Sequence, residues 1–165
     1  MQTLEFEGGY ANDKDDKGGE TCFGITEKYY PNELKEILAI ERHSERLTYA
    51  VAFYYTNFWC PIPSGLPIVV KSLYFDMSVN MGSRSAGKIL QQAVNLLSDS
   101  NIAIDGIVGK DTIKQLKSYY PDRKHILVAS IKIARACKYG EIIGNNPAQS
   151  KFRTGWLKRT LTQEV

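Results

Sequence analysis

The chain has 165 residues and a net charge of +3, and 43% of its residues are hydrophobic. These values predict one domain with a core of ordinary size. The basic bias suits an anionic polymer such as a bacterial cell wall, but it is too weak to indicate nucleic acid as a partner.

The sequence predicts neither a membrane span nor a secretion signal. No run of about 18 apolar residues appears, and the first residues lack the basic and apolar regions of a signal peptide. We therefore expect a protein that is cytoplasmic as synthesised, does not insert into a membrane, and acts on the cell wall after release. Cys22, Cys60 and Cys137 lack metal-ligand spacing and are interpreted as reduced thiols.

The chain is organised around Glu7 and the two glycines that follow it. Residues 2–8 are interpreted as the last turns of a short helix, which Gly8 and Gly9 end because glycine adopts the left-handed C-terminal conformation without steric cost. Glu7 would then lie at the negative end of the helix dipole, which disfavours a carboxylate. We therefore expect a raised pKa for Glu7, as a general acid requires.

Residues 10–25 have no helical period and predict a small β-hairpin lobe. Positions 12–19 are rich in aspartate, asparagine and glycine, which is typical of turns. Strand-compatible residues lie on either side of this run. The aspartates do not continue in the register of a calcium-binding loop, so neither a metal nor a cofactor is expected.

From Thr26 onward the spacing of apolar residues predicts helices. The proline-rich stretch 59–65 and the segment 101–109 are predicted loops. The predicted helices run from Thr26 to Pro31, Glu33 to Ile40, Ser44 to Phe58, Ile68 to Met81, Arg84 to Leu97, Lys110 to Tyr119 and Pro121 to about Tyr139, with a last amphipathic helix around Trp156.

The helix over 68–81 is apolar on most sides, which predicts a buried central helix. Asp76 lies within it, and a buried carboxylate needs partners. We expect Asp76 to bond backbone amides or a tyrosine hydroxyl and to brace the lobe without taking part in chemistry. Phe152 and Trp156 are assigned to core packing.

Glycosidic cleavage requires a carboxylic acid that protonates the leaving oxygen and a second group that acts at the anomeric carbon. Glu7 is the candidate for the acid, and Asp16 and Thr21 are the candidates for the second group. Each has a structural alternative: a surface carboxylate, a turn aspartate and a strand threonine. Spacing alone leaves a glycosidase as one interpretation among several.

A resemblance to a known family favours the glycosidase among these interpretations. The run Glu7-Gly-Gly-Tyr10, followed by Asn-Asp-x-x-Asp16-x-Gly-Gly-Glu-Thr21-x-x-Gly-Ile-Thr26, closely resembles the N-terminal signature of the glycoside hydrolase family 108 muramidases. These are endolysin-type lysozymes of phages, some of which are called secretion activator proteins. The second half resembles the peptidoglycan-binding region of that family, through Phe75-Asp-x-x-Val-Asn80-x-Gly82, Gln91-Gln-Ala and Asp105-Gly-x-Val-Gly109, which match in order. The motifs Tyr55-x-x-x-Trp59 and Gly155-Trp156 also fit the family.

The resemblance implies a mainly α, lysozyme-like fold over residues 1–165, with a catalytic half (1–82) and a peptidoglycan-binding half (83–165) packed as one unit. It implies hydrolysis of the β-1,4 bond between N-acetylmuramic acid and N-acetylglucosamine, with Glu7 as general acid. The order of Glu7, Asp16 and Thr21 is similar to that of phage-type lysozymes, in which Asp and Thr flank the attacking water. We therefore expect inversion at the anomeric carbon.

A glycan groove needs aromatic faces and amide groups for N-acetyl substituents. Tyr10, Tyr54, Trp59 and Asn80 are the substrate-binding candidates. Tyr54 could equally be a core aromatic, and Asn80 could equally be a helix cap.

The expected partner is a peptidoglycan strand, and a monomer is expected. A holin, a secretion machine and an inhibitor protein are the protein partners to consider. The main alternative is a non-catalytic peptidoglycan-binding or secretion-accessory protein on the same scaffold. A nucleic-acid-binding protein is disfavoured because the basic residues are scattered along the chain.

Overall fold

The computed structural model describes residues 20–99 and 101–163, together with the backbone of residues 10–11. This part of the chain is mainly α-helical, with one small antiparallel sheet near the N-terminus, which confirms the predicted fold class. The chain divides into two compact units, Met1–Pro61 and Ile62–Val165. The packing of the two sequence halves as one unit stays a prediction.

The described part of the N-terminal unit combines a three-stranded sheet with two helices and a π-helical turn. Its elements are β1 (Tyr10–Ala11), β2 (Thr21–Cys22), β3 (Ile25–Thr26), α1 (Pro31–Ala39), α2 (His43–Tyr54) and the π turn Tyr55–Trp59.

Aromatic packing and one arginine connect the two helices of this unit. The ring of Phe53 on α2 meets Tyr30 edge-on at 4.8 Å between centroids. The guanidinium of Arg46 donates to the carbonyls of Ile40 at 2.6 Å and Leu38 at 3.2 Å. These carbonyls lie at the end of α1, where no helical amide remains to bond them.

The predicted helix from Thr26 to Pro31 is wrong. Residues 27–29 form a turn, in which the amide of Tyr30 donates to the carbonyl of Thr26 at 2.9 Å. Pro31 is instead the first residue of α1. Proline suits this position because its fixed φ is helical and the first amides of a helix have no intrahelical partner.

In the described part of the C-terminal unit, all regular elements are helical. Its elements are α3 (Ile68–Met81), α4 (Ser83–Leu97), α5 (Lys110–Ser118), α6 (Lys124–Asn145), a 3-10 turn (Pro147–Phe152) and α7 (Arg153–Thr162). Helix α3 has the predicted bounds and buries most of its residues, as expected of a central helix. It ends at Gly82, whose φ of 84° lies in the region that favours glycine.

The predicted end of α6 near Tyr139 is wrong, because the helix continues to Asn145. A glycine inside a helix costs only about 1 kcal/mol relative to alanine. The 3-10 turn and α7 both pack against α6. These contacts outweigh the low helix propensity of Gly140 and Gly144.

The segment 101–109, called here the Asp105 loop, is irregular but tightly held by Gln91 of α4. Gln91 is 2% exposed. Its Nε2 donates to Oδ1 of Asp105 at 2.7 Å and to the carbonyl of Ile107 at 3.0 Å, and its Oε1 accepts from the amide of Gly106 at 2.8 Å. One side chain thereby satisfies the polar groups of a whole turn.

A second amide of α4 completes this attachment. Asn95, one helical turn after Gln91, donates from Nδ2 to the carbonyl of Ile102 and accepts from the amide of Ile102, both at 2.9 Å. Residues four apart share a helix face. The Asp105 loop is therefore fixed to α4 without secondary structure of its own.

Replacing Gly87 with alanine is expected to destabilise the protein by about 1–3 kcal/mol, as overpacking does. A Cβ at position 87 would lie 2.2 Å from the carbonyl oxygen of Gly106, and Gln91 holds that backbone in place. Urea unfolding measures the change. The matched control is Gly140→Ala within α6, where an added Cβ meets no described atom within 4 Å. It should stabilise by about 0.5–1 kcal/mol, and equal effects of the two changes would contradict this account.

Asp76 is buried and forms ion pairs with two arginines. Its carboxylate lies 2.8 Å from Nη2 of Arg135 on α6 and 2.9 Å from Nη2 of Arg159 on α7. The Nε of Arg159 also donates to both carboxylate oxygens, at 3.0 and 3.2 Å. The predicted burial of Asp76 is confirmed; its arginine partners were not among those predicted, and the bracing of the N-terminal lobe stays a prediction. The cluster connects α3, α6 and α7.

The two aromatic residues assigned to the core differ in their burial. The ring of Trp156 stacks on Tyr139 with centroids 4.7 Å apart. Phe152 is 45% exposed, so its assignment to the core is wrong. Its ring tilts against the outer side of Trp156 at 5.8 Å.

Within residues 20–99 and 101–163, no helix is both long and apolar enough to cross a membrane. The same residues contain no cluster of three or more His, Cys, Asp or Glu side chains arranged to hold a metal ion. All three cysteines are free thiols; Cys22 is buried, and Cys60 and Cys137 are exposed.

Candidate active site

The signature residues 21–26 form the tight hairpin of strands β2 and β3. Thr21 pairs with Thr26, and Cys22 pairs with Ile25. The two residues between them, Phe23 and Gly24, have φ values of 49° and 79°. Two successive positive φ values define the turn that matches the twist of a two-residue hairpin.

Phe23 is unusual in this conformation, which bulky residues rarely adopt. Two contacts hold it. Its carbonyl accepts a 2.8 Å hydrogen bond from the hydroxyl of Tyr54, and its ring lies 5.5 Å from that of His43. Helix α2 therefore fixes the tip of the hairpin that carries Thr21.

Thr21 lies in the middle strand of the sheet, where its backbone pairs with Ala11 on one side and Thr26 on the other. Its side chain is half-buried. The neighbouring Cys22 is 1% exposed, and burial raises the pKa of its thiol, with Arg46 acting in the opposite direction. The Cys22 thiol is therefore protonated at neutral pH and unsuited to nucleophilic chemistry.

Glu7 and Asp16, the other two predicted catalytic residues, lie outside the described residues. Of Tyr10, the structure describes the backbone, which pairs with Cys22 in the sheet. Asp16 belongs to the chain segment between β1 and β2.

Thr26, the last residue of the signature, is followed by the turn of residues 27–29. Its carbonyl accepts from the amides of Tyr29 and Tyr30, while its Oγ1 is buried and has no hydrogen-bond partner in the described part of the chain. A buried unpaired hydroxyl costs about 1–3 kcal/mol. The sequence did not predict this feature, because the spacing of residues does not reveal whether a hydroxyl group will lack a hydrogen-bond partner.

The π turn decides which aromatic residues face outward at the end of α2. The amide of Cys60 donates to the carbonyl of Tyr55 at 2.9 Å, a bond that spans five residues. Tyr54 is 2% exposed, whereas Tyr55 is 54% exposed and Trp59 is half-buried. π turns are frequent at functional sites.

Burial distinguishes the predicted substrate-binding aromatics of this helix: one is a core residue and the other reaches the surface. Tyr54 is a core residue, which is the alternative to substrate binding that the sequence indicated for it. Tyr55 was missed as a surface aromatic, although the Tyr55-x-x-x-Trp59 motif was its signal. Trp59 and Tyr55 are therefore the aromatics at the end of α2 that could face a sugar ring.

Asn80 lies near the end of α3 in the C-terminal unit. Its Oδ1 accepts a 2.7 Å hydrogen bond from the hydroxyl of Tyr139, which in turn accepts from Nε of Arg135 at 3.0 Å. The Nδ2 of Asn80 forms no hydrogen bond with another described residue. One end of this amide is thus structural, and the other can donate to a ligand.

Two sequence families together account for almost the whole chain. Glycosyl hydrolase 108 matches residues 1–82, and the family described as "Predicted Peptidoglycan domain" matches residues 85–161. These matches define a glycosyl hydrolase domain followed by a peptidoglycan domain.

The chain belongs to the glycosyl hydrolase 108 family. Among solved structures, SagA of Brucella abortus is similar, with a TM-score of 0.67 and 24% sequence identity over 97% of this chain and 86% of that one. This likeness concerns the fold. No similar sequence was found among the curated proteins.

Proposed function

We propose that the protein is a peptidoglycan hydrolase that cleaves the β-1,4 bond between N-acetylmuramic acid and N-acetylglucosamine. The observation that carries this proposal is the family match over residues 1–82, which contains Glu7, Asp16 and Thr21. The fixed hairpin around Thr21 and the exposed aromatics beside the π turn are compatible with it.

In the proposed mechanism, Glu7 in its protonated form donates a proton to the oxygen that leaves the anomeric carbon. Asp16 and Thr21 hold a water molecule on the opposite face of the sugar. Asp16 accepts a proton from this water as it attacks, and the hydroxyl of Thr21 orients it. The attack breaks the glycosidic bond in one displacement and leaves Glu7 ionised and Asp16 protonated; because no covalent intermediate forms, the configuration inverts.

Substrate binding is assigned to aromatic faces and one amide. Trp59 and Tyr55 would stack on sugar rings, and Tyr10 would add a face from β1. Nδ2 of Asn80 would donate to an N-acetyl carbonyl. The burial of Tyr54 gives it a positioning role, since its hydroxyl holds the hairpin tip at Phe23.

A specific observation also favours a second candidate function. The match of residues 85–161 to a peptidoglycan domain would suit a protein that binds the wall, or assists secretion, without cleaving it. Retention of the protein on purified walls without release of reducing ends would support this alternative.

Mass spectrometry of the fragments released from purified peptidoglycan tests the proposed reaction. We expect fragments whose reducing end is N-acetylmuramic acid, and proton NMR should show the inverted anomer first. Reducing ends on N-acetylglucosamine, or cleaved peptide bonds, would contradict the proposed bond specificity. A retained anomer would contradict the role of Asp16 as a water-holding group and favour a nucleophile.

A further inference from the structure

The C-terminal unit contains a cavity of about 500 Å³ that the proposed glycan cleavage does not use. It lies between the Asp105 loop, Gln91 of α4 and the first two turns of α5. Its volume is within the range of about 300–1,000 Å³ that is usual for ligand sites. The motifs around Gln91 and Asp105, which the sequence singled out, form its wall.

The wall of this cavity is preformed, because hydrogen bonds and close backbone packing hold it in place. Gln91 and Asn95 bind the Asp105 loop through five hydrogen bonds of 2.7–3.0 Å. Gly87 and Gly106 allow helix and loop to approach so closely that a Cβ at either would meet backbone atoms at 2.2 and 2.6 Å. A rigid wall lowers the entropy that binding would otherwise cost.

Four charged side chains line the cavity, two of each sign: Asp105, Lys110, Asp111 and Lys114. The structure shows no ion pair between any of them and another described residue. The hydrogen bond from Gln91, followed by that from the amide of Ile107, lowers the pKa of Asp105, so its carboxylate is ionised at neutral pH. These charges are available to a ligand that carries both signs itself.

The period of α5 arranges these groups in two neighbouring rows. Lys110 and Lys114 are four residues apart, as are Asp111 and Gln115, and residues at this spacing share a helix face. The two lysines can form ion pairs with carboxylates of a ligand. Asp105, across the cavity, and the adjacent Asp111 can form ion pairs with an ammonium group of the ligand.

The composition of the lining favours a peptide over a glycan. No aromatic residue belongs to the lining, whereas sugar sites usually present an aromatic face. The apolar part of the lining consists of Ile102, Ala103 and Ile107, which suit small aliphatic side chains. The amide group of Asn101 can bond a peptide group.

We propose that this cavity binds the peptide stem of peptidoglycan, a short peptide that carries carboxylates, a free amine and alanine methyl groups. The proposal rests on the proposed function in one respect, namely that peptidoglycan is the target. It assigns the glycan and the peptide of that target to different parts of the chain. Binding of the stem by α5 would hold the enzyme on its polymer between cleavage events.

The test is calorimetric titration of the full chain, as the Glu7→Gln variant, with the tetrapeptide Ala-γ-Glu-diaminopimelate-Ala. The double variant Lys110→Gln/Lys114→Gln should weaken binding at least about tenfold, because it removes both partners of the ligand carboxylates. The matched control is Lys117→Gln, a lysine on the same helix that does not line the cavity. It should leave the affinity unchanged, and far-UV circular dichroism should be the same for all variants.

The outcomes separate this proposal from the proposed glycan cleavage. An absent tetrapeptide signal, an unchanged affinity in the double variant, or displacement of the peptide by the peptide-free disaccharide would overturn the cavity assignment. Wild-type cleavage of the glycan is scored independently on peptide-free chains. Peptide binding without glycan cleavage would refute the hydrolase alone, and cleavage without peptide binding would refute the cavity assignment alone.

Discussion

Replacing Glu7 with glutamine is expected to lower the rate of glycan cleavage by about two to four orders of magnitude. The amide has nearly the size of the carboxyl group, but it has no acidic proton to transfer to the leaving oxygen. The fold should be unaffected, because the substitution adds no volume. The measurement is the release of reducing ends from purified peptidoglycan, with far-UV circular dichroism of both proteins.

Glu27→Gln provides the control for this experiment. Glu27 is an exposed carboxylate in the same unit, just after β3, and its backbone amide rather than its side chain bonds to the carbonyl of Glu20. Its replacement should leave the rate within about twofold, since Glu27 is exposed and has no role in the proposed reaction. Full activity of the Glu7→Gln protein would show that Glu7 is not the general acid and that another residue donates the proton.

The sequence predicted best where local signals decide the structure. Helix α3 begins and ends as expected because Pro67 restricts its start and Gly82 its end. A small β-hairpin lobe was expected over residues 10–25, and β2 and β3 lie at its end, but Phe23, expected in a strand, is a turn residue. Such signals act over a few residues, and the chain itself displays them.

Features that depend on distant partners were not predictable. The partners of Asp76, two arginines on other helices, become neighbours only after folding. The π turn after Tyr54 changes which side chains face outward, and a regular helical period cannot show this shift. In the candidate site, the structure describes Thr21 but neither Glu7 nor Asp16, so the assembly of the three groups stays a prediction.

Among the proposed substitutions, replacement of the buried Asp76 is expected to change the free energy of unfolding most. Its carboxylate side chain is 3% exposed and forms ion pairs with the guanidinium groups of Arg135 and Arg159, which are 2% and 8% exposed. Removing charged groups from water is costly, and here the attraction between close opposite charges offsets that cost. The balance holds only while the carboxylate remains between the two arginines.

Asp76→Asn is therefore expected to reduce the free energy of unfolding by about 3–5 kcal/mol. The amide carries no charge, so two buried guanidinium groups would lose their shared counter-charge. In a chain of this length, such a loss should lower the melting temperature by roughly 6–20 °C. Urea unfolding and a thermal scan of the full chain measure both quantities. The exposed Asp122→Asn is the control and should change stability by less than about 0.5 kcal/mol.

A second variant separates loss of charge balance from loss of packing. Replacing Asp76, Arg135 and Arg159 together by Leu, Met and Met removes all three charges while keeping apolar volume. Such replacements of buried ion clusters are often neutral or stabilising. Arg135 also donates to Gln163 at 3.1 Å and to Tyr139, so these groups would lose a partner and the recovery should be incomplete. The triple variant should nevertheless be more stable than Asp76→Asn, because an unbalanced buried charge costs more than a lost hydrogen bond. A triple variant less stable than the single one would show that the arginines act through packing, and the electrostatic account of this cluster would be wrong.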